Sequence, residues 1–140
     1  MANALYRNYA HLIWGDAAAA HALPDLDTDN IKCVLTDHGA DTPVLATDQD
    51  LTDITAGTVA TSANMAGAAI ATGSIDYNDF AFATVAGAQS ESLNWYLDSG
   101  AAGTSTLFLY VDTATGLPVT PSGGDINVTL NASGLMSLAA

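Results

Sequence analysis

From residue 31 onward the apolar residues recur with a period of two, the spacing of a strand with one buried face. "IKCVLT" puts Ile31, Cys33 and Leu35 on one side. "FAFATV" does the same with Phe80 and Phe82. "ESLNWYLD" sets Leu93, Trp95 and Leu97 inward against Ser92, Asn94 and Asp98 outward. "TLFLYVD" is apolar on both sides, Leu107, Leu109 and Val111 opposite Phe108 and Tyr110, which predicts a central strand. "INVTLN" alternates Ile126, Val128 and Leu130 with polar residues. Weaker strands are expected in "TVATSA" from Thr58, "AAIATG" from Ala68 and "GLMSLA" from Gly134.

The first 24 residues follow another period. Leu5, Tyr9, Leu12 and Ile13 stand at i, i+4, i+7 and i+8, one face of a helix. Asn3 is placed to cap it, and Gly15 to stop it unless the alanines at 17–20 prolong it toward Pro24. Tyr6 and Trp14 widen the apolar surface beyond a narrow stripe. The helix therefore either docks on its own domain or serves as an arm on a neighbouring subunit.

Turn signals such as "DHGAD", "NMAG", "GSIDYND", "DSGAAGTS" and "PSGGD" separate the strands. Short strands at close intervals predict a mainly β fold, an antiparallel β-sandwich or barrel with an N-terminal helix or arm. The expected division is an arm at residues 1–24 and a β-rich body at residues 25–140, within the 140 residues of one domain. "TDQDLTDI" reads as one helical turn with Thr47 as cap and Asp50 three residues on.

Charge narrows the partners. Arg7 and Lys32 are the only basic residues against 15 acidic ones, a net charge of −13. Such a surface repels phosphate backbones and anionic membranes, so neither nucleic acid nor membrane is an expected partner. A lone cysteine, Cys33, allows no internal disulfide and alternates with core positions, as a buried thiol would.

The search for chemistry returns little. "DLDTDN" places Asp25, Asp27 and Asp29 like the opening of a calcium loop, but Asn30 stands where glycine is needed and Thr36 where a bidentate glutamate is needed. Asp48, Asp50 and Asp53 suit a hard cation at a subunit contact, but the better reading makes Asp48 and Asp50 complements to a helix N-terminus. His11, His21 and His38 share no metal-ligand spacing. His38 in "TDHGAD" resembles the edge of a catalytic dyad, with no serine in a nucleophile elbow to complete it. Glu91 and Asp98 point to opposite sides by strand parity, which disqualifies them as a glycosidase pair. Trp95, Tyr96 and Tyr110 suit a sugar platform or a core, and the parity of Trp95 favours the core. No cofactor, metal site or catalytic residue is expected, and the chain reads as a non-enzyme.

"MANALY", "IKCVLTD", "LATDQDLTDITAGTVATS" and "YLDSG…TSTLFLYVDTATGLPVTPSGGDINVTL" occur in that order along nearly the whole chain. In this the sequence resembles a family of small, siphophage-like tailed-phage virion proteins, some of them assigned as capsid decoration, or cement, proteins. "DTATGLPVTPSGGDI" is the most specific part. "RNYAHLIWGDAAAAHALPDL" departs from the family in its length and alanine content, which leaves the arm's role open. The resemblance implies a β-rich protein on the outer surface of the virion capsid, made in the host cytoplasm, whose partner is the major capsid protein and which binds as a homotrimer. A tail or head–tail structural protein and a virion-surface carbohydrate-binding module are the alternatives. Under this reading the interface residues are Leu5, Tyr6, Tyr9, Leu12, Ile13 and Trp14 of the arm, with Leu117, Pro118, Val119 and Pro121 of the loop. Prolines at 118 and 121 pre-order that loop, which becomes either a contact toward a neighbour or a rigid hairpin loop.

Overall fold

The computed structural model describes residues 3–16 and 21–137. Its strands are β1 (Ala4–Leu5), β2 (Ile31–Thr36), β3 (Thr58–Thr61), β4 (Ala69–Ala71), β5 (Ser74–Asp76), β6 (Phe80–Phe82), β7 (Ser92–Leu97), β8 (Leu107–Val111), β9 (Ile126–Val128) and β10 (Met136–Ser137). One α-helix, α1 (Arg7–Ile13), and 3₁₀ turns at Leu51–Gly57 and Ala102–Thr104 complete it. The protein is mainly β, its sheets are antiparallel, and its helix is short and N-terminal. The principal sheet has the order β1-β8-β7-β2-β3. Its end strands β1 and β3 do not pair with each other, so it is an open sheet and not a closed barrel.

Both faces of this sheet are covered. On the first, Ile31, Cys33, Leu35, Leu93, Trp95 and Leu109 meet Tyr9 of α1, Ile75 of the β10-β5-β4 sheet and Phe82 of the β6-β9 ribbon. On the second, Val34, Tyr96, Leu107 and Tyr110 pack with Tyr6 and with Ile54 of the 3₁₀ turn. The sequence pattern foresaw the first face and treated Ser92 and Asn94 as outward. Both are fully buried, because the segment 41–57 and the N-terminal segment lie over them.

Strand β8 departs from simple alternation. Trp95 pairs with Leu109 and Tyr96 with Leu107, leaving Phe108 as an extra residue. This bulge turns Phe108 to the same side as Leu109, and Leu107 to the same side as Tyr110. The expected partition of β8 fails there, since parity reading has no term for an inserted residue. The middle position of the sheet belongs to β7, with β8 one place nearer the edge.

The N-terminal segment is built into this body. β1 pairs with β8, Ala4 opposite Tyr110 and Leu5 opposite Leu109. Tyr6 then drops onto the second face and Tyr9 onto the first, so the chain folds over the sheet's edge. Asn3 does not cap α1: its amide grips the backbone of Thr113 in both directions, at 3.1 Å and 3.0 Å. Tyr6 occupies the N-cap and Trp14 the C-cap, with Gly15 following at φ +75°, a conformation that stops the helix without strain. The expected extension through the alanines at 17–20 lies outside the described residues.

Two further expectations shift. The helical turn after "TDQD" is capped by Asp50, which accepts from the Thr52 amide, with Asp53 returning to the Asp50 amide. The capping pair therefore sits three residues beyond the expected Thr47. "GSIDYND", expected as a turn, contains β5, because Thr72 and Gly73 both take positive φ and close a two-residue hairpin.

Gly57 shows how tightly the second layer fits. A β-carbon there would come within 2.8 Å of the Asp37 carbonyl oxygen and 2.9 Å of Asp41. Gly57→Ala is expected to destabilise the fold by about 1–3 kcal/mol, the usual cost of overpacking against backbone, read as a lower midpoint in urea unfolding.

Candidate functional site

The second face of the principal sheet holds a closed polar network. The Tyr6 hydroxyl donates to Asn94 Oδ1 at 2.6 Å. That bond orients the amide, so Nδ2 donates to Thr36 Oγ1 at 2.9 Å and to Ser92 Oγ at 3.1 Å. Ser92 Oγ also lies 2.9 Å from His38 Nε2. The His38 ring stacks on Tyr110 at 6.3 Å, and Tyr110 donates to Asp112 at 3.1 Å. β2 contributes Thr36, β7 contributes Ser92 and Asn94, and the β1–α1 junction brings Tyr6 over them. Sequence reading missed this cluster, because alternation marks Ser92 and Asn94 as solvent-facing.

The structure thus gives His38 the serine partner that the sequence withheld. The pair lacks the rest of a hydrolytic centre. Ser92 is fully buried, so its hydroxyl has no substrate access. Glu91 spends a carboxylate oxygen on the His38 backbone amide, at 2.9 Å, and not on the ring. Burial raises the pKa of the Tyr6 hydroxyl, and with less force those of Tyr96 and Tyr110, to about 12. The phenols stay protonated at neutral pH, and the network acts as a hydrogen-bonded clamp between sheet and N-terminal segment.

The other chemical candidates resolve one by one. Trp95, Tyr96 and Tyr110 are buried and offer no platform for a sugar. Asp98 is held by Lys32 at 2.6 Å, a bond that lowers its pKa, while Glu91 lies at the other end of β7. Carboxylates of Asp29, Asp48 and Asp53 accept backbone amides of Asp25, Val44 and Gln49. Among the described residues no group of three or more His, Cys, Asp or Glu is arranged to hold a metal. Cys33 is buried, and burial raises its thiol pKa far above the ordinary value. No helix among the described residues is long and apolar enough to cross a membrane.

The expected interface residues part company. Tyr6 and Tyr9 are 0% and 3% exposed and belong to the two cores, so they are closed to a partner. Leu5, Leu12 and Ile13 are half-buried, and Leu5 and Ile13 pack on the first core. Trp14 is 80% exposed. Next to Ile13 runs a groove lined by Tyr9, Ile13, Leu23, Pro24, Leu26 and Ile70 together with Asp25, where Leu23 and Ile70 are 50% and 62% exposed. In the loop, Leu117 and Val119 turn inward against the first core. Val119 exchanges both backbone bonds with Ser90, at 2.8 Å and 2.9 Å, and Gly123 and Gly124 do so with Val85. Pro118, after a cis peptide bond, is exposed, and Pro121 is half-buried. The loop is a rigid flap stapled along residues 84–90. Leu117 and Val119 form the back wall of a recess of about 240 Å³ shared with Leu35, Leu93, Ile126 and Val128.

No protein-family model matches the chain, and no curated protein matches it. Its functional reading therefore rests on the surfaces just described.

Tyr6→Phe is expected to cost about 1–3 kcal/mol near neutral pH, because it strands the buried Asn94 oxygen. A second effect appears in alkali. A phenol whose folded pKa exceeds its unfolded value stabilises the fold fully below pH 10, and that stability is lost as the pH rises from 10 toward 12. Wild-type urea midpoints should fall across that window. Those of Tyr110→Phe should fall less; equal slopes would remove the phenols as the cause.

Proposed function

We propose that this chain is a decoration, or cement, protein of a tailed-phage head, an adhesive and not a catalyst. The observation that carries the reading is the exposed apolar side chains of Trp14, Leu23 and Ile70, the last two lining a mainly apolar groove with Ile13, on a body of net charge −13. Most surface of so acidic a protein keeps other acidic proteins away; exposed apolar side chains are where close contact is favourable. Support also comes from the loop around Pro118, which its backbone bonds to Ser90 and Val85 already hold in place, so it loses little entropy on contact. The likeness of "DTATGLPVTPSGGDI" to phage virion proteins supplies the biological setting. The partner is the major capsid protein, bound from outside by a homotrimer.

Its work is then thermodynamic. A protein that binds the assembled shell and not its separated subunits stabilises the shell by its binding free energy. Several weak contacts joined in one oligomer give avidity without a strong single site.

Cryo-EM of virions of the encoding phage tests this directly. Density for this fold in many copies over the head is the expected result. Few copies along the tail would favour a tail protein, and absence from the particle would overturn the proposal. Trp14→Ala, which removes a side chain that is 80% exposed, should leave the melting temperature within a few degrees and lower head occupancy about tenfold or more, read by quantitative mass spectrometry.

A further inference from the structure

The β4–β5 hairpin leaves one backbone edge open. β4 ends its three-stranded sheet, and β5 lies between it and β10. The Ile75 carbonyl oxygen accepts the Leu135 amide at 2.8 Å, on the β10 side. In an antiparallel ladder the N–H and C=O of one residue point the same way, and those of its neighbours point the other way. Ser74 and Asp76 therefore turn to β4, where they face Ala71 and Ala69. The two-residue turn at Thr72 and Gly73 requires the same phase, because Ala71 and Ser74 close it. Ile70 then turns its own N–H and C=O outward, away from β5, where no group among the described residues bonds to them.

Proteins usually guard such an edge with a charge, a proline or a bulge. β4 has none of these. It reads Ala-Ile-Ala, all three residues are exposed, and its register with β5 is regular. No charged residue occurs between Asp53 and Asp76, in a chain of net charge −13. The Ile70 side chain lies where two apolar hollows meet. One is the groove it lines with Tyr9, Ile13, Leu23 and Leu26, and the other is a hollow of about 270 Å³ shared with Ile75 and Met136. Asp25 is the one charged residue in either lining.

We infer, resting on the head-binding reading, that β4 accepts an added strand: an extended, uncharged segment of the partner protein pairs with the open edge at Ile70. The outward N–H and C=O set the occupant's backbone, since an extended chain presents an acceptor and a donor at that spacing. The uncharged edge sets its side chains, because a charged one would lose its water there without gaining a counter-ion. Asp25 and Asp76 weigh further against an acidic segment. An apolar side chain next to Ile70 would enter the groove against Tyr9, Ile13 and Leu26. Another copy of the chain is the poorer occupant, because it brings a second charge of −13.

Ile70→Pro isolates the backbone contribution. It removes the outward N–H and no bond of the β4–β5 ladder, so the hairpin should stay folded. Ile70→Ala removes the side chain and keeps the N–H. In sedimentation with heads of the encoding phage assembled without this protein, Ile70→Ala should bind within about threefold of wild type, and Ile70→Pro about tenfold or more weakly. Hydrogen exchange needs no variant: the Ile70 amide of the wild type should exchange about tenfold or more slowly on the head than in the free protein. Equal binding by wild type and Ile70→Pro, equal losses in both variants, or unchanged exchange at Ile70 would overturn the inference and leave the head-binding reading standing. A wild type that does not sediment with heads would overturn both. Self-association without heads that disappears in Ile70→Pro would make the occupant another copy, and would overturn the inference as well.

Discussion

Strand β7 lies in the middle of its sheet with neither face left to water, and its second face carries Ser92 and Asn94. An amide buried without partners costs several kcal/mol, so the fold is bound to supply them. It does so by bringing Tyr6 from the far N-terminus onto Asn94 and by placing Thr36 and Ser92 beneath. This requirement decides where the N-terminal segment goes. Once Tyr6 is committed there, β1 must lie along β8 and α1 must emerge at the sheet's edge. Trp14 is then carried to the outside, because the helix ends one residue earlier.

The proposed function rests on the same division of labour. The polar side chains that resemble a reaction centre are used up in holding the sheet to its cover. The carboxylates cap loops and the short helical turn. The surface retains the exposed apolar side chains of Trp14, Leu23 and Ile70, a recess behind a stapled flap and a strong negative charge. These are the features on which the proposed adhesive role rests: shape, desolvation and long-range repulsion of other acidic surfaces.

The flap shows how one stretch serves two purposes. Leu117 and Val119 face inward, so they stabilise the first core and form the wall of the recess together. Substituting them therefore perturbs folding as well as contact, whereas Trp14 touches contact alone. Backbone pairing with Ser90 and Val85 keeps the loop in place without contributions from charged groups.

Most strands were legible in the sequence, since a period of two over Ile31–Leu35, Leu93–Leu97 and Ile126–Leu130 reflects a face hidden from water. The fold class and the buried thiol followed from the same local signal. What the sequence could not convey is anything that depends on a second layer. Ser92 and Asn94 have the polarity of surface residues, and only the covering by Tyr6 and the segment 41–57 makes them interior. The bulge at Phe108, the swap of the capping pair to Asp50 and Asp53, and the split of the N-terminal residues between core and surface were likewise settled by packing. Periodicity records which side of a strand is apolar, whereas burial is a property of what lies on top, and that is fixed only when distant parts of the chain meet.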